Sequence, residues 1–355
     1  MWRQMLMFFS VIGPGIITAN ADNDVGGITT YSLAGAQFGY SMLWLLIPVT
    51  LALIVTQEMC ARMGTVTGKG LADLIRENFG VKVTAIVLLL FVIGDLGNTA
   101  AEFAGIASAA PILQAYVPFL SKFLLVPFAA IFVFTAVTRG NYKIIERVFF
   151  IFCAVYLAYV VDAFLIKPAP PWGPILHATI VPHFNPTSAY LLTVIAVIGT
   201  TISPWMQFYI QSAVVEKGIR IKDYGYSRID VISGAILTDV IAFFIVVADA
   251  GDVAQALSGF GKYASLLFAI GLLNAAIFTA SILPLSTAYY VCEAFGFESG
   301  VENRFSQAPV FYGFYLGLIV VGAGFVLIPG APLLATIFYS QVLNGVLLPV
   351  VLVLM

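Results

Sequence analysis

Charge is scarce in this chain: Asp, Glu, Lys and Arg make up 10% of its 355 residues, against 61% hydrophobic. So little charge cannot cover a water-facing globule, and the composition makes the chain an integral membrane protein with the lipid bilayer as its surroundings. No basic stripe interleaved with aromatics is present, which excludes a nucleic-acid partner. The net charge of −2 points to no partner either. Histidine is nearly absent, and His177 and His183 share one proline-rich stretch where they read as loop residues, not metal ligands. There is no His-Glu-x-x-His motif and no visible nucleophile with its base, so the chain does not read as an enzyme and calls for no cofactor. Cysteine is rare and odd in number. Cys60, Cys153 and Cys292 each lie in or beside an apolar segment, which excludes a disulfide framework and fits inert buried thiols. No small-residue cleavage site follows Arg3 and the apolar run after it, so the first helix is read as retained.

Long apolar runs, by contrast, abound. Ten are of spanning length: 5–39, 41–64, 82–113, 119–138, 143–166, 187–216, 229–249, 262–295, 308–329 and 331–355. Alternating their loops across the membrane sorts the cations. One side collects Arg3; Arg62, Lys69, Arg76 and Lys82; Arg139, Lys143 and Arg147; Lys217, Arg220, Lys222 and Arg228; and Arg304. The other holds Lys122, Lys167 and Lys262. The positive-inside rule then makes the N-terminus cytoplasmic. Residues 68–78 read as a short amphipathic cytoplasmic connector, and Glu146 with Arg139 and Arg147 as a charge network able to latch that side.

Two segments are interrupted. In the first, Asn20-Ala21-Asp22-Asn23-Asp24-Val25-Gly26-Gly27 places carboxylates, carboxamides and glycines at membrane depth. At about 1.5 Å per residue, an unbroken helix over the whole segment overshoots a hydrocarbon core of about 30 Å. Glycine is a weak helix former and Asn and Asp compete for backbone hydrogen bonds, so unwinding near 20–27 is the economical solution. Unwound backbone survives there only buried in protein or lining a wet cavity. Segment six reads Gly199-Thr200-Thr201-Ile202-Ser203-Pro204-Trp205, and Pro204 removes a helix hydrogen bond and disfavours helical geometry at Ser203. Five spans separate the two breaks, so the broken segments enter from opposite faces, as in a fold of two inverted five-helix repeats whose discontinuous helices mark a midplane binding site. The expected organisation is a first repeat over 1–166, an extracellular linker over 167–186 rich in proline, and a second repeat over 187–355.

These same tracts resemble the NRAMP family of divalent-metal transporters. Gly13-Pro14-Gly15, Asp24-Val25-Gly26-Gly27 and Gly35-Ala36-Gln37-Phe38-Gly39-Tyr40-Ser41 follow the family's first helix, whose central motif is Asp-Pro-Gly-Asn. Gly199 to Trp205 lies where the family has Ala-x-x-Met-Pro-His, and Glu102-Phe103-Ala104-Gly105, Gly271-Leu272-Leu273 and Ser340-Gln341-Val342-Leu343 fit as well. The resemblance covers the whole chain and implies an all-α, LeuT-like fold, usually with an eleventh helix. That helix is absent here, and the apolar end Val351-Leu352-Val353-Leu354-Met355 is read as a truncation. Against the family pattern, Gly27 stands at the motif's asparagine, Thr200 at the coordinating alanine and Ser203 at the methionine ligand. Trp205 and Ile210 replace histidines tied to proton transfer, and Thr99 an acidic residue. Hydroxyl in place of thioether shifts preference toward hard, oxygen-seeking ions. Smaller side chains leave room for the water that Mg²⁺ surrenders reluctantly. The pattern is similar to the family's magnesium-transporting branch.

The resemblance implies a metal site at Asp24, Gly27, Thr200, Ser203 and Gln341, with Asp22 and Asn23 suited to the outer shell of a hydrated ion. Each has a plainer reading. Asp24 can cap the second half-helix, Thr200 and Ser203 can bond back to their own helix, and Gln341 and Asn344 can serve as interhelical glue. Glu102 is a candidate for a proton path, and Asp239 lies deep enough in segment seven to notice. An intramembrane charge costs about 2.5 to 3.5 kcal/mol on insertion scales, which favours function for Asp24. The expectation is a monomeric, multi-pass protein of a prokaryotic plasma membrane that imports Mg²⁺, with Mn²⁺ a second substrate, by alternating access without proton coupling. The rivals are a proton-coupled Mn²⁺/Fe²⁺ transporter and an amino-acid transporter of the same fold.

Overall fold

The computed structural model describes residues 15, 18, 21–139, 156–165, 170–250, 264–301 and 303–355. Its described elements are helices: α1 (Val25–Phe38), α2 (Leu43–Thr67), α3 (Leu71–Gln114), α4 (Lys122–Arg139), α5 (Leu157–Leu165), α6 (Trp172–Ile180), α7 (Ser188–Thr201), α8 (Pro204–Glu216), α9 (Tyr224–Ala248), α10 (Ala264–Phe295), α11 (Pro309–Leu327) and α12 (Leu333–Leu354). Among the described residues, eight helical stretches are long and apolar enough to cross a membrane. Val25–Thr67 counts as one of these and holds both the described part of segment one and segment two, so the eight account for nine of the ten expected segments. Of segment five only 156–165 is described; Cys153, Glu146, Arg147 and Asn20 lie outside the described residues.

Both expected breaks are present. Asp22 ends a helical turn, Asp24 adopts extended backbone (φ −71°, ψ −172°), and α1 starts at Val25. In segment six, α7 ends at Thr201, Ile202 and Ser203 leave helical geometry, and α8 restarts with Pro204 in its first turn, where the missing N–H costs nothing. The linker departs from a plain loop. Trp172–Ile180 forms a nine-residue helix packed against α2 and the 3₁₀ turn Gly39–Met42. The connector is the first two turns of α3, which bury Leu71, Ala72 and Ile75 and end at a kink where Gly80 takes φ +79°.

Close helix crossings fix the breaks relative to one another. A Cβ on Gly199 of α7 would fall 2.1 Å from the Gln341 carbonyl of α12, and one on Gly345 would fall 2.3 Å from the Ile195 carbonyl of α7. Only glycine permits this approach, so α7 and α12 lie backbone to backbone beside the break. Leu51, Val55, Ile86, Leu89, Phe128, Ile131, Val320 and Val353 are exposed, as an outer surface in contact with lipid requires. On the side that collects most of the cations, Arg76 donates to the Ala294 carbonyl (2.8 Å) and Gln211 to the Lys69 carbonyl (2.8 Å), joining the connector to α10 and α8, while Ser212 donates to Glu293 (2.5 Å) and joins those two helices to each other.

Candidate functional site

The first break is organised by Asp24. Its Oδ1 accepts from the Gly27 amide at 2.6 Å and its carbonyl from the Ile28 amide at 2.9 Å, so the residue caps α1 with side chain and main chain together. The buried Glu102 carboxyl of α3 lies close enough to Asp24 for the two carboxylates to repel, and neither of its oxygens has a hydrogen-bond partner among the described residues. Two carboxyl groups this close in a buried setting hold a proton between them or a cation beside them. Gln341 reaches in from α12: a Cβ on Gly26 would fall 2.0 Å from its Nε2 and 3.0 Å from Asp24 Oδ1. Gly26 therefore leaves room for the Gln341 amide beside the Asp24 carboxylate.

From Gln341 a polar chain leads to the second break. Asn344 donates to Gln341 Oε1 (3.0 Å) and to Ser203 Oγ (3.3 Å), and exchanges hydrogen bonds with Asn98 of α3 (2.8 and 3.1 Å). Ser203 Oγ donates back to the Gly199 carbonyl at 2.8 Å, the helix-easing bond that its hydroxyl allows. Thr200 Oγ1 is buried without a partner among the described residues, so its lone pairs stay available. Asp24, Thr200, Ser203, Gln341, Asn344 and Glu102 thus line one constellation, and none is more than 5% exposed. Its polar atoms are oxygens and carboxamide nitrogens, of which only the oxygens can ligate a cation. Among the described residues no group of three or more His, Cys, Asp and Glu side chains is placed to hold a metal, so a cation here would depend on hydroxyl, carboxamide and carbonyl oxygens as well.

Asp22 and Asn23 turn elsewhere. Asn23 Nδ2 donates to Thr238 Oγ1 at 2.6 Å, and Asp22 lies close enough to Asp239 for the two carboxylates to repel, both on the side of α9. Two further acidic residues are engaged. Asp95 accepts from Thr287 (2.6 Å) and Tyr290 (2.9 Å), and Glu58 from Tyr224. His183 offers its main-chain carbonyl to Tyr190 and Trp44, and Cys60 and Cys292 are buried free thiols. Asn98 escaped the sequence reading. Its signal was a carboxamide at membrane depth in Gly97-Asn98-Thr99, but its partner Asn344 is 246 residues away.

The natural resistance-associated macrophage protein-like (Nramp) family profile matches residues 15–355. A divalent metal cation transporter MntH of Bacillus subtilis is 26% identical over 309 residues, spanning 80% of this chain and 70% of that one. Another MntH, from Ralstonia nicotianae, is 30% identical over 301 residues, spanning 78% and 66%. Among solved structures, a manganese transporter of Eremococcus coleocola superposes with a TM-score of 0.77 at 20% identity, covering 99% of this chain and 79% of that one. Mhp1, a nucleobase-cation-symport-1 family transporter, gives 0.65 at 16% identity over 93% and 75%. These two likenesses speak for the fold, which is LeuT-like with helices broken at Asp24 and Ser203. With the family profile spanning nearly its whole length, the chain belongs to the Nramp family.

Proposed function

We propose that this protein carries a divalent metal cation across the membrane by alternating access, with Mg²⁺ preferred, Mn²⁺ a second substrate, and no coupled proton. The observation that supports it most is the buried polar row between the two helix breaks, in which Gln341, Asn344 and Ser203 are hydrogen-bonded and the Gln341 amide lies beside Asp24 across Gly26. The curated relatives named above are divalent metal cation transporters, which supports the same substrate class. In this reading Asp24 is the direct anionic ligand, and Thr200, Ser203, Gln341 and the backbone at Gly27 supply neutral oxygens. An all-oxygen set suits hard ions, and Mg²⁺ keeps several waters in such a set. Reconstituted protein loaded with a Mg²⁺ dye tests the reading: uptake should appear with the wild type and vanish in Asp24→Ala. Wild-type uptake by that variant would remove the site from Asp24.

One observation favours a second reading, proton-coupled Mn²⁺ or Fe²⁺ transport: the buried Glu102 carboxyl lies near Asp24 with both its oxygens unpartnered among the described residues. A proton shared by that pair would leave when a cation arrives. An internal pH dye in the same vesicles separates the two.

A further inference from the structure

Asp22 at the first helix break and Asp239 on α9 lie close enough for their carboxylates to repel, with the adjoining Asn23 and Thr238 hydrogen-bonded to each other, and they are 2% and 5% exposed. None of their four carboxylate oxygens has a partner among the described residues, and neither makes an ion pair there. The hydroxyls around them are committed elsewhere: Thr50 donates to the Leu46 carbonyl at 2.6 Å, and Tyr31 pairs with Thr201 at 2.6 Å. A fifth acceptor is independent of the acidic pair. Asn23 spends its amide nitrogen on Thr238, next to Asp239, which leaves its Oδ1 unpartnered in a side chain only 1% exposed. Five buried oxygens on adjoining residues of the first break and α9 thus lack a donor among the described residues, and buried acceptors require a donor or a cation.

We propose that Asp22, Asp239 and Asn23 form a second cation site, separate from the Asp24 constellation, and that it takes a divalent ion. Two carboxylates carry the charge that one divalent ion neutralises, whereas a monovalent ion leaves a net negative charge. Carboxylate and carboxamide oxygens are the donors that hard cations select. The two sites are two residues apart on one unwound stretch, so an ion in either bears on the other electrostatically. The proposal builds on divalent transport but does not require Asp24 to be the transport ligand.

The test counts Mn²⁺ bound to the full-length purified chain in detergent, by the paramagnetic signal of the free ion. Two ions per chain are expected at saturation, falling to one in Asp239→Asn and one in Asp22→Asn, with both variants monodisperse. Asp24→Asn should also retain one ion, and that ion should be lost when Asp239→Asn is added. Should Asp24→Asn keep two while Asp239→Asn keeps one, the second site stands and the ligand role of Asp24 fails. A wild type that binds one ion, with its affinity unchanged in Asp239→Asn, overturns the second site. So does an infrared band of a protonated carboxyl that persists under saturating Mn²⁺ and vanishes in Asp239→Asn, because protons then take the place of the cation. If neither carboxamide variant folds, magnetic coupling between two Mn²⁺ in the saturated wild type decides, and its absence overturns the proposal.

Discussion

Asp24 does two things at once, and substitution can separate them. Its Oδ1 holds the Gly27 amide at 2.6 Å, so Asp24→Ala removes a helix cap as well as a charge. Loss of such a cap costs about 0.5 to 2 kcal/mol. Asn keeps a capping oxygen without the charge, so Asp24→Asn should melt close to the wild type while Asp24→Ala melts lower, and both should fail to take up Mg²⁺. Uptake by the Asn variant would show that the carboxylate's charge is dispensable. Ser203→Met tests selectivity at the second break: a thioether replaces the hydroxyl that bonds to Gly199 and Asn344. Inhibition by Cd²⁺ should strengthen and Mg²⁺ uptake fall. An unchanged ratio of the two potencies would mean that residue 203 does not face the ion. Asp24 was legible in sequence because a carboxylate among glycines inside an apolar run has few structural excuses. Asn98 and the pairing of Asp22 with Asp239 were not, since each draws its partner from more than 200 residues away.

At the scale of the element, the breaks were readable and the short helix in the linker was not. Pro204 and the Asn20–Gly27 tract carry their own local physics, which the packed structure leaves in place. The prolines of the linker suggested a loop, yet Pro171 and Pro174 fall at the N-cap and in the first turn of α6, where a missing N–H is no loss. The crossing of α7 and α12 makes a prediction of its own. Gly345→Val would push its side chain into the Ile195 carbonyl and part the helices that carry Ser203 and Gln341. Overpacking of this kind costs about 1 to 3 kcal/mol. Thermal unfolding in detergent should fall, and Mg²⁺ uptake should drop further than the loss of folded protein explains. A variant with wild-type melting and uptake would mean that the crossing can relax without consequence.

For the whole molecule, the driving force is the question that the site leaves to voltage or protons. A divalent ion gains about 4.6 kcal/mol per 100 mV, enough for roughly three decades of accumulation without any proton. With an inside-negative potential and no pH gradient, Mg²⁺ should enter vesicles while the internal pH dye stays flat. A dye response that needs Mg²⁺ or Mn²⁺ and disappears in Glu102→Gln would establish the coupled alternative. The connector that joins α2 to α3 bears on the same cycle in another way. Its two clasping contacts, from Arg76 and from Gln211, involve main-chain carbonyls, while Lys69 and Glu77 form an exposed ion pair within the connector itself. Bonds to main-chain carbonyls are little screened by dissolved ions, whereas an exposed pair such as Lys69 with Glu77 weakens as the Debye length shrinks. Turnover that waits on the two carbonyl contacts should therefore change little between dilute and brackish surroundings, even where the Lys69–Glu77 pair is screened away.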